Sequence, residues 1–95
     1  MSATMFVKHQ IGDYGKWKSV YDGLGSVRQK MGVTGASVYR DANDKNTLIV
    51  THRFNDMKAA MAFTNSEDLK TAMQNSGVMG QPVFWFGEDI ETTAH

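Results

Sequence analysis

The run Pro82-Val83-Phe84-Trp85-Phe86 constrains this chain more than any other stretch. Neighbouring side chains of a strand point to opposite faces, so Val83 and Trp85 go one way while Phe84 and Phe86 go the other. Both faces are apolar, and a strand apolar on both sides needs cover on both. The sheet containing it is therefore a buried middle layer. With 95 residues the chain makes one domain with one core, which covers only one face of a sheet. The other cover is expected from a second copy of the chain.

Residues 5–11 read as a first strand, with Met5, Val7, His9 and Ile11 on one face and Phe6, Lys8 and Gln10 on the other. Gly12 breaks it, and Asp13 is a good N-cap for a helix running to about Met31, with Gly32 just past its end. Tyr14, Trp17, Tyr21, Leu24, Arg28 and Met31 form one stripe of that helix. Within it, Gly23 and Gly25 either thin the helix for a close contact or weaken it. A second strand is expected over residues 33–40, a turn over 41–46, and a third strand over 47–54 carrying Leu48, Val50, His52 and Phe54 on one face. A helix capped by Asn55 or Asp56 follows and breaks near Asn65. It restarts at Ser66 as a short helix that Gly77 ends. Pro82 is expected as the first residue of a fourth strand running toward Ile90, and residues 92–95 as a loose tail around an ordered core of about 4–91.

Strand, helix, strand, strand, helix, strand is the order of a ferredoxin-like βαββαβ fold of the α+β class. Right-handed crossovers place both helical segments on one face of a four-stranded antiparallel sheet. The other face is left with either Val83 and Trp85 or Phe84 and Phe86, beside Phe6 or Met5 and Ile49 or Val50. A patch of a few hundred Å² contributes on the order of 10 kcal/mol when covered, before the costs of association. A homodimer with its sheets face to face is the expected assembly.

Composition excludes several functions. Ten Lys and Arg balance ten Asp and Glu, so no excess charge draws the chain to nucleic acid or an anionic membrane. No apolar run approaches a membrane span and residues 1–8 lack the apolar middle of a secretory signal, so a cytoplasmic location is expected. Without cysteine there is no thiolate nucleophile or thiolate metal site, and the glycines do not open a helix as a phosphate cradle does. Neither metal nor cofactor is expected.

The segments Val7-Lys8-His9, Asp13-Tyr14, Trp17-Lys18 and Tyr21-Asp22 resemble the opening of small proteins of the dimeric α/β-barrel superfamily, which includes the antibiotic biosynthesis monooxygenase-like families. Val38-Tyr39-Arg40-Asp41, Phe54-Asn55-Asp56, Ala60-Met61-Ala62-Phe63 and the pattern from Ser66 to Pro82 extend the resemblance over nearly the whole chain. It implies the fold and the dimer reached above. That fold hosts cofactor-independent monooxygenases, polyketide cyclases, lactone isomerases and haem-degrading enzymes. The resemblance also implies that His9 matches a first-strand histidine used as a base by polyketide cyclases. It implies a pocket between sheet and helices, here lined by Trp17, Tyr21, Met57, Met61 and Phe63. Monooxygenases of the group are associated with an Asn, a Trp and a Tyr or His, and the chain supplies Trp17 and Trp85 for that set without a matched Asn.

His9 and His52 are the candidate catalytic residues. They are expected as cross-strand partners on adjacent central strands, titrating as a coupled pair near neutral pH, where a general base is most effective. Tyr14, Trp17 and Tyr21 are candidates to stack on a flat ligand, with Met57, Met61, Phe63 and Trp85 as further substrate-binding residues. The same aromatics and methionines at helical spacing also suit an ordinary core. Arg40 and Arg53 are weaker candidates to steer a carboxylate or enolate. The expected function is a small cofactor-independent enzyme acting on an aromatic or polyketide-like substrate by base-catalysed monooxygenase- or cyclase-like chemistry. The alternative is a non-catalytic dimeric protein that binds a small apolar or aromatic ligand, or has a stress-associated role.

Overall fold

In the computed structural model, which describes every residue from Met1 to His95, the chain runs β1 (Ala3–Ile11), α1 (Tyr14–Gly23), α2 (Gly25–Lys30), β2 (Val33–Asp41), β3 (Asp44–Phe54), α3 (Met57–Thr64), α4 (Glu67–Asn75) and β4 (Val78–Glu88). The four strands form one antiparallel sheet in the order β2-β3-β1-β4, the expected ferredoxin-like topology. Ala3, Met5, Val7 and Ile11 of β1 pack with Leu48, Val50 and Phe54 of β3 beneath Trp17, Ala60, Phe63 and Leu69 from the helices. Every helix therefore sits over one face. No helix is long and apolar enough to cross a membrane.

The caps follow the sequence. The side chains of Asp13, Asp56 and Ser66 accept from the backbone N–H of Lys16, Ala59 and Leu69, which satisfies donors that a helix start leaves free. The first helix is not continuous to Met31. It divides at Leu24, between Gly23 and Gly25, two residues that stabilise helix poorly. Neither glycine admits a closely packed neighbour: a Cβ at Gly23 meets nothing within 4 Å, and one at Gly25 meets only the Arg28 guanidinium at 3.7 Å. Gly23→Ala is therefore expected to stabilise the protein by about 0.5–1 kcal/mol through a less flexible unfolded chain and a better helix former. A lowered urea midpoint for this variant would contradict it.

All four strands are longer than expected, and β3 and β4 start furthest ahead of the expected residue. β3 begins at Asp44, because the hairpin needs only Ala42 and Asn43 beyond the Asp41–Asp44 pair. β4 begins at Val78, so Pro82 lies inside it. The ladder passes from Lys8–Val83 to Gln10–Met79, leaving Gly80, Gln81 and Pro82 opposite His9 alone. This bulge tolerates a residue without an N–H, and Gly80 supplies its positive φ of 71°. Past β4, Asp89 is fixed by Thr4 Oγ1, which donates to it at 2.7 Å, and by Arg53 Nε at 3.3 Å. Arg53 thus holds the end of the chain's last strand.

The face without helices carries two adjacent cross-strand rows, Tyr39-Ile49-Lys8-Val83 and Ser37-Thr51-Phe6-Trp85. Phe6 and Trp85 stack with centroids 5.3 Å apart and planes 3° from parallel. Of the two apolar sets of β4, Phe84 and Phe86 pack toward the core, while Val83 and Trp85 are left 57% and 42% exposed.

Candidate functional site

Alternation along β1 brings His9 to the helix-covered face, and alternation along β3 does the same for His52. They are not cross-strand partners, contrary to expectation. His52 lies opposite Met5, and His9 opposite Leu48. Four residues of strand separate their positions, roughly 13 Å, far beyond a hydrogen bond. What joins them is the roof. Successive turns of α1 stack Tyr14 on Trp17 at 6.1 Å and Trp17 on Tyr21 at 5.0 Å. His9 lies 5.9 Å from Trp17, and His52 lies 6.4 Å from Tyr21. Two imidazoles thus stand on the sheet under successive members, Trp17 and Tyr21, of one aromatic stack.

Between sheet and roof is a cavity of about 40 Å³. Met5, Val7, His9, Val50 and His52 form its floor, and Trp17, Tyr21 and Arg28 form its roof. Leu69, Met73 and Ser76 close it from the α4 side. The volume holds a water-sized group and falls well short of the ~150 Å³ that admits a benzene ring.

His9 and His52 are only 5% and 4% exposed. Neither nitrogen of His9 has a hydrogen-bond partner in the protein, and neither does Nδ1 of His52. Each such atom costs about 1–3 kcal/mol, and buried polar groups are seldom left so in a purely structural role. Burial pushes both imidazoles down to about 4, and the positive charge of Arg28 adds to the effect on His52. Both are therefore neutral at pH 7, and the expected titration near neutrality does not hold. The apolar surroundings that make the site a cavity also disfavour the imidazolium.

The other candidates divide. Trp17 and Tyr21 line the cavity. Tyr14 stacks on Trp17 outside it, with the Arg40 guanidinium 5.2 Å from its ring centre. Phe63 is core, 5.0 Å from His52 and 5.6 Å from Phe54. Met57 packs against that core, and Met61 faces outward, 44% exposed. Trp85 is on the opposite face of the sheet, because strand alternation sends it with Phe6 away from the helices. Met57, Met61, Phe63, Tyr14 and Trp85 are thus not cavity residues. Arg28 and the α4 side chains were missed. For Arg28 a signal existed: it is the one cation on the otherwise apolar and aromatic stripe of the first helical segment. Its guanidinium carbon lies 4.0 Å from the centre of the Tyr21 ring.

The family described as antibiotic biosynthesis monooxygenase matches residues 12–75. Among solved structures, a cofactor-independent oxygenase from Streptomyces nogalater, SnoaB, superposes with a TM-score of 0.79 at 10% identity, over 99% of this chain and 98% of that one. A conserved protein from Methanosarcina mazei Go1 gives 0.75 at 12% identity, over 95% and 94%. A protein of unknown function from Nitrosomonas europaea gives 0.65 at 18% identity, over 99% and 94%. At these identities the likeness is one of fold. None of the curated proteins matches the chain in sequence.

Proposed function

The chain belongs to the antibiotic biosynthesis monooxygenase family, and from that premise we propose that it is a cofactor-independent enzyme acting on an aromatic or polyketide-like substrate by base-catalysed chemistry. The observation that carries this reading is the pair of buried imidazoles with unpartnered nitrogens facing one cavity. A neutral imidazole accepts the proton of a phenolic O–H or an activated C–H, and the electron pair stays on the substrate as phenolate or enolate. A group pushed down to about 4 is a weak acceptor in isolation. Transfer is helped because the imidazolium forms beside the new oxyanion in surroundings of low dielectric, where the charge pair is stabilised strongly. Whether dioxygen then reacts separates a monooxygenase from a cyclase.

The test is oxygen consumption and product analysis over polyphenols and aromatic polyketide mimics. Turnover is expected, and it should fall by about 100-fold or more in His9→Gln or His52→Gln. Unchanged turnover in both variants would sink the role of these residues. The low proton affinity of both imidazoles favours a second reading, a binding protein without catalysis, whose mark is saturable binding with no product. In either case the working unit is a homodimer closed through the face that carries Phe6, Ile49, Val83 and Trp85.

A further inference from the structure

The cavity holds one permanent charge. Arg28 is the only Lys, Arg, Asp or Glu residue among those that line it. Arg28 is half-buried, and the three ion pairs of the protein all lie elsewhere, so no carboxylate is within 4 Å of its guanidinium. Of its five N–H donors, the protein engages Nη1, which donates to the Tyr21 carbonyl oxygen at 2.7 Å. That bond caps the end of α1, and it explains neither the charge over an apolar cavity nor the lack of an acid to balance it. The groups facing Arg28 across the cavity are the neutral imidazoles His52 and His9, which cannot balance it either.

We propose that Arg28 is the anion anchor of this site, and that the ligand is an aromatic molecule with an anionic oxygen, a carboxylate or ionised phenol, bound by the guanidinium while its ring packs under Trp17 and Tyr21. The inference rests on the reading above that the cavity takes a ligand. Arg28 is suited to it: its guanidinium sits over the Tyr21 ring and one nitrogen is bonded to the Tyr21 carbonyl oxygen, so little freedom is lost when its remaining N–H groups meet a planar anion. A ring requires a wider cavity, so binding displaces the roof, which is not one continuous helix but two segments meeting at Leu24.

The experiment is a ¹H–¹⁵N NMR titration of the full chain at pH 7 with 2-naphthoate and with 2-naphthamide, which share a shape and differ in charge. In the wild type the carboxylate is expected to bind at least about tenfold more tightly, with shifts at His9, Tyr21 and His52. Arg28→Met should bring the two affinities within about twofold, and Arg28→Lys should restore much of the preference. A merely structural arginine would not move a further readout: the His52 ring-proton titration should shift upward with naphthoate and not with naphthamide, because a bound anion cancels the repulsion from Arg28. If Arg28→Met fails to fold, the His52 shift and the Arg28→Lys variant decide. Equal affinity for both probes, with shifts at the same amides, overturns the role of Arg28 and leaves the cavity as a ligand site. No shift with either overturns both.

Discussion

Lowering the pH from 7 to 4.5 is expected to cost this protein about 5 kcal/mol of stability through His9 and His52 alone. Both groups have an ordinary value of 6.5 and are pushed down to about 4 in the folded chain. Below 6.5 the unfolded chain takes up protons that the folded chain refuses, so stability is complete above that pH and is lost as pH falls through the window down to about 4. Each histidine contributes roughly 2.5 kcal/mol to the loss at pH 4.5, and near pH 5 the two together give a slope of about 2.4 kcal/mol per pH unit. Against the 5–15 kcal/mol typical of a folded domain, that suffices for acid unfolding. Asp44, held below the usual carboxylate range by the Asn46 N–H and then the Thr47 hydroxyl, acts only in a lower window. Urea unfolding at fixed protein concentration over this range measures the slope. The double variant His9→Gln, His52→Gln should flatten it, and an unchanged slope would show that neither imidazole is buried as described.

Trp85→Glu is expected to convert the assembly to monomers. Trp85 and Phe6 form a parallel stack beside Ile49 and Val83 on a face that no helix covers. If a second copy closes that face, a two-fold axis brings two new carboxylates together in one interface, against the Phe6 rings and with Lys8 of the adjacent row as the neighbouring cation. Each costs several kcal/mol to bury, and together they should weaken association by at least about 1,000-fold. Sedimentation or light scattering should report half the wild-type mass at micromolar concentration. Lys58→Glu, on the exposed outer side of α3, makes a change of the same sign and should leave the mass unaltered. A wild-type monomer, or a Trp85→Glu protein of wild-type mass, would exclude this face as the interface.

The order of elements, the caps at Asp13, Asp56 and Ser66, and the two alternating sets of side chains on each strand were legible because they depend on local chemistry and period, whereas which set faces the core was left open. The doubly apolar run from Val83 to Phe86 also told correctly that one set would be left bare, and the register then settled which. The relation between His9 and His52 was not legible. Both belong to the same face, yet whether two residues on adjacent strands meet depends on register, and β1 and β3 are joined through α1, α2 and β2 rather than by a hairpin whose length would fix it. Pro82 misled for a related reason, since a proline accommodated in a bulge looks, in sequence, like one that begins a strand. Met57, Met61 and Phe63 are apolar residues of one short helix, a composition that suits a pocket or a core equally, and only the docking of α3 puts Phe63 in the core, Met57 against it and Met61 outward.

The two tryptophans stand on opposite sides of the sheet, Trp17 roofing the cavity and Trp85 stacked on Phe6. The protein therefore carries two independent fluorophores, each reporting on one surface. Replacing Trp85 with Phe leaves an emission spectrum that follows only the cavity, blue-shifted while Trp17 is dry and quenched when a ligand stacks beneath it. Replacing Trp17 with Phe leaves one that follows only association, red-shifting as dilution separates the sheets. Ligand binding and assembly, which a single mixed signal would confuse, can thus be read from the same chain as separate colours.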